Sequence, residues 1–561
     1  MGNEINRHSR FTRRSLVIGL TKISLFAALV YRFFSLQVLN HGKFKTLSTN
    51  NRLRVHFTSP IRGKILTHNN VIIATNRVRY SLVLKNKKKA SQAVVALNRI
   101  IAPQKIQANF NQKNKQGSIR LLENVDSGLV RILRANPNLK YITVIKEHVR
   151  YYPFGTLLFH VLGYTKVVKD SYQNKGQRII GNGGVEKIFN NKLSGIRGVE
   201  KTEVNARGQF VRSLDIVKPQ ESENLLLSID IEIQKIISKI MRDRIGSAIV
   251  YDLNKMCIAA LHSSPSVDGN ALSQNLSQNE WEKILEGKNN PFVNRAVAAL
   301  YNPGSTFKIV LYLAILFYNI APDEEILCPG YFRLGNQTYR CHKKFGHGLV
   351  KLDRALSESC NVYYYKKSLQ LGINRIKNIA NKFGFGIKTG VELSGELAGV
   401  VPDQEWKMRR FNKKWYEGDT VNTSIGQGYV QATMIQLIQY ISQVALNRKI
   451  NVSILHDKSN KACEILFPEE HMVRLRSALK NSIKSNNIET LQIIGKTGTS
   501  QIISRDSKNV SGRYEDHSIF TGFTKKDKKW HSIALIVENG GWGSKTALPL
   551  AKRIITDIQY L

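Results

Sequence analysis

Residues 302–316 read NPGSTFKIVLYLAIL, and the rest of the chain is best read outward from that stretch. A proline and a glycine end a turn, and Ser305 opens a helix that is apolar on every side, with Lys308 three positions on. A serine at a helix amino terminus sits among free N–H groups and gains from the helix dipole. The i,i+3 spacing puts the Lys308 amine on the same face as the serine oxygen. Burial and nearby cations that kept this lysine neutral would let it take the serine proton and create a nucleophile. Alone, such a pair is an ordinary capping serine and a surface lysine. Two later clusters change its weight. Ser359-Cys360-Asn361 lies at a break between two helical patterns, where a hydroxyl and an amide two apart can face one cleft. Lys496-Thr497-Gly498-Thr499 follows an apolar pair on a strand, where a cation and a glycine would hold a carboxylate and let a substrate backbone approach.

Around these clusters the chain has 561 residues, 42% hydrophobic and 9% aromatic, enough for packed cores in several domains. Five cysteines exclude a disulfide scaffold. The formal charge of +43 comes from 84 Lys+Arg against 41 Asp+Glu, spread along the chain in runs such as 85–89. No nucleic-acid signature accompanies it, so no nucleic-acid partner is expected. An anionic membrane or cell-wall polymer suits the charge better.

Residues 15–39, SLVIGLTKISLFAALVYRFFSLQVL, are long enough to span a bilayer. Arg7, Arg10, Arg13 and Arg14 precede them, which predicts a cytoplasmic tail over 1–14 and everything after 39 on the outer side. The run ends in bulky residues rather than a small-x-small cleavage site, so an uncleaved anchor is expected. Lys22 inside it would cost about 2.5–3.5 kcal/mol unless it snorkels or meets a partner helix.

Residues 40–222 show short strands, including 71–74 and 80–84, a basic insertion over 85–120, and no nucleophile–base pair; they predict a mixed, non-catalytic spacer or docking domain. From 223 to 561, LLLSI, a helix over 230–244 and SAIVYDL lead into helices over 305–319, 351–371, 374–383 and 431–447. The strands IIGKTG, IFTGF and SIALIVE and a final helix over 547–560 close the chain. That order predicts α+β (α/β) layers, a mainly antiparallel sheet flanked by helices.

Taken together and in this order, Ser-x-x-Lys, Ser-x-Asn and Lys-Thr-Gly are the set shared by serine β-lactamases and penicillin-binding proteins. The surrounding sequence resembles the class B penicillin-binding proteins along nearly its whole length. In the catalytic part the resemblance rests on NRAVAALYNPGSTFK, HGLVKLDRALSESCNVYYYK, FGFGIKTGVELSGELAGVVPDQEWK, GDTVNTSIGQGYVQAT and GKTGTS. In the pedestal it rests on RYYPFGTLLFHVLGY, GNGGVEKIFNNKLSG and EVNARGQFVR. Residues 406–429, with Trp415-Tyr416 and Gly418-Asp419-Thr420, are more similar to the elongation type, the penicillin-binding protein 2 group, than to the division type.

The resemblance implies an elongated, mixed, non-catalytic pedestal over 40–222, a transpeptidase domain of the serine β-lactamase kind over 223–561, and a peptidoglycan D,D-transpeptidase inhibited by β-lactams. A division-type transpeptidase and a β-lactam sensor without turnover are the alternatives. Ser305 would be acylated by a donor stem peptide ending in D-Ala-D-Ala, Lys308 would be the base, and Ser359 and Asn361 would relay protons and hold the donor. Lys496, the fifth catalytic residue, would bind the substrate carboxylate with Thr497 or tune the proton network, Gly498 and Thr499 would bind the substrate, and the N–H groups of Ser305 and Thr499 would form the oxyanion hole. Hydrolysis of the same acyl-enzyme would be a weak side activity. No catalytic cofactor is implied. The implied partners are the acceptor amine of a second stem peptide, a polytopic SEDS-type glycan polymerase and a rod-complex scaffold, at a bacterial inner membrane with the catalytic domain in the periplasm. Two segments depart from the family: Thr67-His68-Asn69-Asn70 replaces its usual turn, and His517-Ser518-Ile519-Phe520 stands where an aromatic often precedes the Phe.

Cys328, Cys341, His347 and Cys360 are spaced Cys-x12-Cys-x5-His-x12-Cys. From residues alone, a disulfide with one thiol over, a Cys3His zinc site, and three small buried residues all remain open. Some penicillin-binding protein 2 members carry a structural zinc beside the active site, and His347 and Cys360 look like its ligands. Cys257 and Cys463 read as core.

Overall fold

The structure is a computed structural model and describes residues 2–84, 95, 97, 119–136, 142–169, 177–205, 210–273, 278–285, 289–456, 464–484, 493–501, 515–526 and 529–561. Most of the basic insertion at 85–120, and Cys463, lie outside these residues. The chain divides into two compact units: Met1–Pro60 with Lys169–Arg178 and Gly195–Glu221, and the remainder. The expected pedestal at 40–222 therefore contributes to both.

In the first unit, Gly2–Phe34 is helical and passes into a short π-helical turn, Ser35–Leu39. Its stretch Thr12–Leu39 is 28 residues with mean hydropathy 1.7, long and apolar enough to cross a membrane. An antiparallel three-stranded sheet follows, in the order Leu53–Thr58, Gly198–Val204, Phe210–Val217. The last of these strands is exposed at every residue.

The second unit begins with a sheet in which Leu225–Leu227 runs parallel to Ile65–Thr67, tying the pedestal sequence to the start of the catalytic part. The strands expected at 71–74 and 80–84 are one strand, Ile72–Leu84. The polar middle does not break it, because Thr75–Leu84 pairs residue by residue with Ile142–Tyr151 and the Arg77 guanidinium covers the Tyr151 ring. The departing turn at 67–70 closes with Asn70 N–H donating to Thr67 O (2.9 Å) and Asn70 in the left-handed region. Arg62 and Arg150 meet the two oxygens of Glu186 at 2.6 Å each, all three buried. Removing one member would strand a desolvated charge, so this triad fixes the fold locally.

The larger part of this unit is a five-stranded antiparallel sheet: β1 (Gly246–Asp252), β2 (Cys257–Ser264), β3 (Ile493–Ser500), β4 (His517–Lys526) and β5 (Lys529–Val537). Its order is β2-β1-β5-β4-β3, which leaves β3 at an edge. Strand alternation splits its side chains. Ile249, Tyr251, Ala534 and Ile536 face the helical core, whereas Ala248, Val250, Leu535 and Val537 face α1 (Ile231–Ile240) and the carboxy-terminal helix Ala547–Gln559. Cys257 is buried on β2, and His517 packs edge-on against Tyr301. The expected antiparallel sheet between helices is the fold observed.

Candidate active site

The nucleophile candidate lies one turn before the helix. Gly304–Phe307 is a 3-10 turn, and the α-helix α2 runs from Lys308 to Phe317, not from Ser305 as the sequence suggests. Lys308 to Leu316 is wholly buried, so this helix is an axle of the core. Gly304 has φ +57°, and a Cβ there would stand 2.6 Å from Thr499 O. Its N–H donates to Gly426 O at 2.9 Å. The turn carrying Ser305 thus lies main chain against main chain with the end of β3.

Opposite, α3 (Leu352–Ser357) and α4 (Asn361–Leu371) are broken at Ser359, a non-glycine residue at φ +57°. That conformation costs free energy and persists only where the surroundings enforce it. The break turns Ser359 and Asn361 onto Lys308, whose Nζ donates to Ser359 O (2.7 Å), Ser359 Oγ (3.1 Å) and Asn361 Oδ1 (2.6 Å). The direct Ser305–Lys308 hydrogen bond that their spacing allows is not formed in this arrangement; the ammonium's three donors go to the Ser-x-Asn corner. The Tyr364 ring lies 5.6 Å from the same nitrogen. Burial draws the Lys308 pKa down to about 8, while the Cys341 and Cys360 thiols oppose it.

Lys496, Thr497, Gly498 and Thr499 stand on β3, in register with Thr521, Phe520, Ile519 and Ser518 of β4. Lys496 is buried, and burial followed by repulsion from Lys308 lowers its pKa to about 7. A Cβ on Gly498 would meet Pro303 O at 2.8 Å, which is why β3 can lie so close to the nucleophile turn. The five expected catalytic residues are thus distributed over the turn (Ser305), the first position of α2 (Lys308), the α3–α4 break (Ser359 and Asn361) and β3 (Lys496).

Three further residues join the site without having been singled out. Asn302 Nδ2 donates to Gly428 O (3.0 Å) and Val430 O (2.7 Å), and Gln427 Nε2 donates to Thr499 O (2.8 Å). Tyr364 is the third. Asn302 stands in the NPGSTFK stretch and Gln427 in the GQGY segment.

Cys328, Cys341, His347 and Cys360 are all buried, and their ligand atoms lie within 4.8 Å of one another. His347 Nδ1 is 3.5 Å from both Cys328 Sγ and Cys341 Sγ. No disulfide joins the described cysteines, Cys257, Cys328, Cys341 and Cys360. Hydrogen bonding from Cys360 holds the Cys341 thiol well below its ordinary pKa, and Cys360, as the donor, is pushed up. Three sulfurs and one imidazole are the donor set of a tetrahedral zinc site, whose sulfur–sulfur edges are about 3.8 Å with arms of about 2.3 Å. The cluster fits that geometry. It also touches the catalytic loop, since Asn361 N–H points at Cys341 Sγ (3.3 Å).

Residues 246–556 match the penicillin-binding protein transpeptidase domain, and residues 57–227 match the penicillin-binding protein dimerisation domain. The peptidoglycan D,D-transpeptidase MrdA of Acinetobacter baumannii is 30% identical over 98% of this chain and 88% of that protein. Penicillin-binding protein PBP2 of Helicobacter pylori, solved in complex with MreC, superposes with a TM-score of 0.78 at 28% identity, covering 91% of this chain and 100% of that one. A chain of a peptidoglycan synthase complex coordinating polymerization and crosslinking superposes with a TM-score of 0.71 at 25% identity over 97% of each. The chain belongs to the penicillin-binding protein transpeptidase family. Within it, the likeness runs along nearly the whole length to the MrdA, or penicillin-binding protein 2, type.

Proposed function

We propose that this chain is a serine-type peptidoglycan D,D-transpeptidase of cell-wall elongation in which Ser305 is the nucleophile. The observation that carries the reading is the Lys308 amine, buried behind the Ser305 turn and hydrogen-bonded to both Ser359 and Asn361. A pKa near 8 leaves a usable fraction of neutral amine at neutral pH.

Ser305 Oγ attacks the carbonyl carbon of the donor's penultimate D-alanine, and Lys308 takes its proton. The charge that develops on the carbonyl oxygen is met by the N–H groups of Ser305 and Thr499, dipoles already in place before reaction. The C–N bond breaks, the proton passes through Ser359 to the departing D-alanine amine, and a serine ester remains. An acceptor amine then attacks the ester, gives up a proton to the same relay, and the new amide forms as Ser305 Oγ is reprotonated. Lys496 and Thr497 hold the donor carboxylate. A β-lactam takes the donor's place, and its opened ring stays on the serine.

Cys328, Cys341, His347 and Cys360 would hold a structural zinc ion, and through Cys360 and the Asn361 N–H on Cys341 Sγ these ligands would brace the loop bearing Ser359 and Asn361. The helix over Thr12–Leu39 anchors the protein in the membrane. The four arginines before or at its start keep the amino terminus cytoplasmic and the catalytic domain periplasmic. A glycan polymerase and a rod-complex scaffold are its partners; the likeness to a PBP2 solved with MreC and to a synthase-complex chain supports this.

The test is the intact mass of the full-length protein after incubation with a penicillin, together with a cross-linking assay. One stable adduct on Ser305, absent in Ser305→Ala, and formation of donor–acceptor amides are the expected results. An adduct that persists in Ser305→Ala overturns the nucleophile assignment, and adduct without cross-linking overturns the transpeptidase.

A further inference from the structure

One feature near the cleft has no part in the chemistry above. The helix α5 (Gln404–Phe411), begun by Asp403 accepting from Trp406 N–H, ends at Asn412 in the left-handed conformation, and the chain then turns out before α6 (Glu417–Ser424). Its base is rigid. Lys407 is buried, paired with Asp419, and surrounded by the rings of Tyr416 (4.9 Å), Tyr429 (5.6 Å) and Trp415 (5.9 Å). Trp406, Phe411 and Tyr429 pack ring on ring with centroids 5.2–5.6 Å apart.

The outer face differs in kind. Phe411 is 44% and Tyr416 65% exposed. Arg410, Lys413 and Lys414 are exposed and have no acidic partner among the described residues. Flat rings beside unpaired cations on a stiff base form a surface made for contact, because a solvated loop has no need of a buried ion pair beneath it. The base is also continuous with the active site: Tyr429 lies between Gly428 and Val430, whose carbonyls accept from Asn302, three residues before Ser305.

We propose that this face is a docking ledge for the acceptor strand of peptidoglycan. Phe411 and Tyr416 take the apolar faces of its sugar rings, and Arg410, Lys413 and Lys414 take the carboxylates of its stem peptides. The inference rests on the transpeptidase reading and deepens it: β3 receives the donor, and the ledge receives the strand that brings the amine. Charge complementarity favours this occupant, as does a mixed aromatic and cationic face, which neither a purely acidic protein segment nor a lipid headgroup layer requires.

The test uses the full-length protein in detergent with Ser305 already blocked by penicillin, so that the donor position cannot contribute. Uncross-linked peptidoglycan strands with intact stem peptides are titrated onto it. The triple reversal Arg410→Glu, Lys413→Glu, Lys414→Glu should weaken binding at least tenfold and flatten its dependence on salt, since screening acts on those charges. Tyr416→Ser should weaken binding about threefold with the salt dependence retained. With unblocked protein, the ratio of cross-linking rate to penicillin acylation rate should fall at least tenfold in the triple variant. Strand binding and ratio both unchanged overturn the ledge. So does a triple variant that loses binding only to anionic vesicles, which would make the face a membrane contact. An unmodified protein that takes no penicillin at Ser305 fails at the earlier step and removes the functional reading and the ledge together.

Discussion

The two walls of the cleft are built by different means. On one side Ser305 is placed by main chain: Gly304 lies against Thr499, Gly498 against Pro303, and Gly304 N–H is held by Gly426 O. On the other side Ser359 and Asn361 are placed by side chains: a strained serine, three donors of one ammonium, and a thiol–imidazole cluster behind. The first wall is set by distance of approach and fails if an atom is added. The second is set by chemistry and fails if a group is removed or changes charge.

The sharpest way to break this contrast is Gly304→Ala. The new methyl would overlap Thr499 O at a left-handed position, and the added strain and displacement should lower penicillin acylation by at least about 100-fold, measured as the second-order rate constant. Near-normal acylation would show that the wall yields easily. On the other side, Cys341→Ser removes a member of the cluster and the acceptor of the Asn361 N–H. A drop of roughly tenfold in acylation, from displacement of the Ser359–Asn361 loop, should accompany a lower Tm and lower zinc content. A metal-free wild-type protein with an unchanged Tm in the variant would remove the zinc.

A smaller effect concerns the amines. Acylation should rise about fivefold between pH 7 and pH 8 as Lys308 loses its proton, levelling above its pKa of about 8. A rise complete by pH 6 would exclude this amine as the base. Both lysines bind protons less readily folded than unfolded, where the value is 10.5. Between about pH 7 and 10.5 the unfolded chain therefore holds more protons, and these two groups make stability increase with pH across that window. Chemical unfolding at fixed pH values measures the slope. The least effect belongs to Gly335→Ala, in the turn between the paired strands Tyr331–Leu334 and Gln337–Arg340. Its φ is +54° but nothing lies within 4 Å of a Cβ. It should cost about 1 kcal/mol of stability and leave acylation within about twofold.

The same contrast explains what could be read in advance. Ser305 with Lys308, and Ser359 with Asn361, were legible because each pair is local and its chemistry is carried by side chains. The Cys/His spacing was legible as a set, though not its clustering, which depends on strand Ile326–Cys328 pairing with Gly348–Val350. The main-chain wall was not legible, because its contacts join residues far apart and glycine announces only that something comes near. Asn302 and Gln427 were hidden for a related reason: their partners are backbone carbonyls, which any sequence possesses. Tyr364, within NVYYYK, reads as core until the structure sets its ring beside Lys308. The long strand Ile72–Leu84 shows in the sequence as two pieces, because its polar centre is supported by pairing with Ile142–Tyr151 and not by its own pattern.

The main-chain wall also bears on how such a protein could escape an inhibitor. A substitution at Thr499 changes its side chain but leaves its N–H and carbonyl where the strand puts them, and the glycines beside it accept no substitution without moving the nucleophile. Selection can therefore alter little on that side. Variants that discriminate against a drug while sparing the substrate should accumulate instead around Ser359, Asn361, the cluster behind them and the loops beyond, where side chains set the shape. A compound that draws its affinity from the β3 edge and the Ser305 turn would leave the fewest mutational routes open.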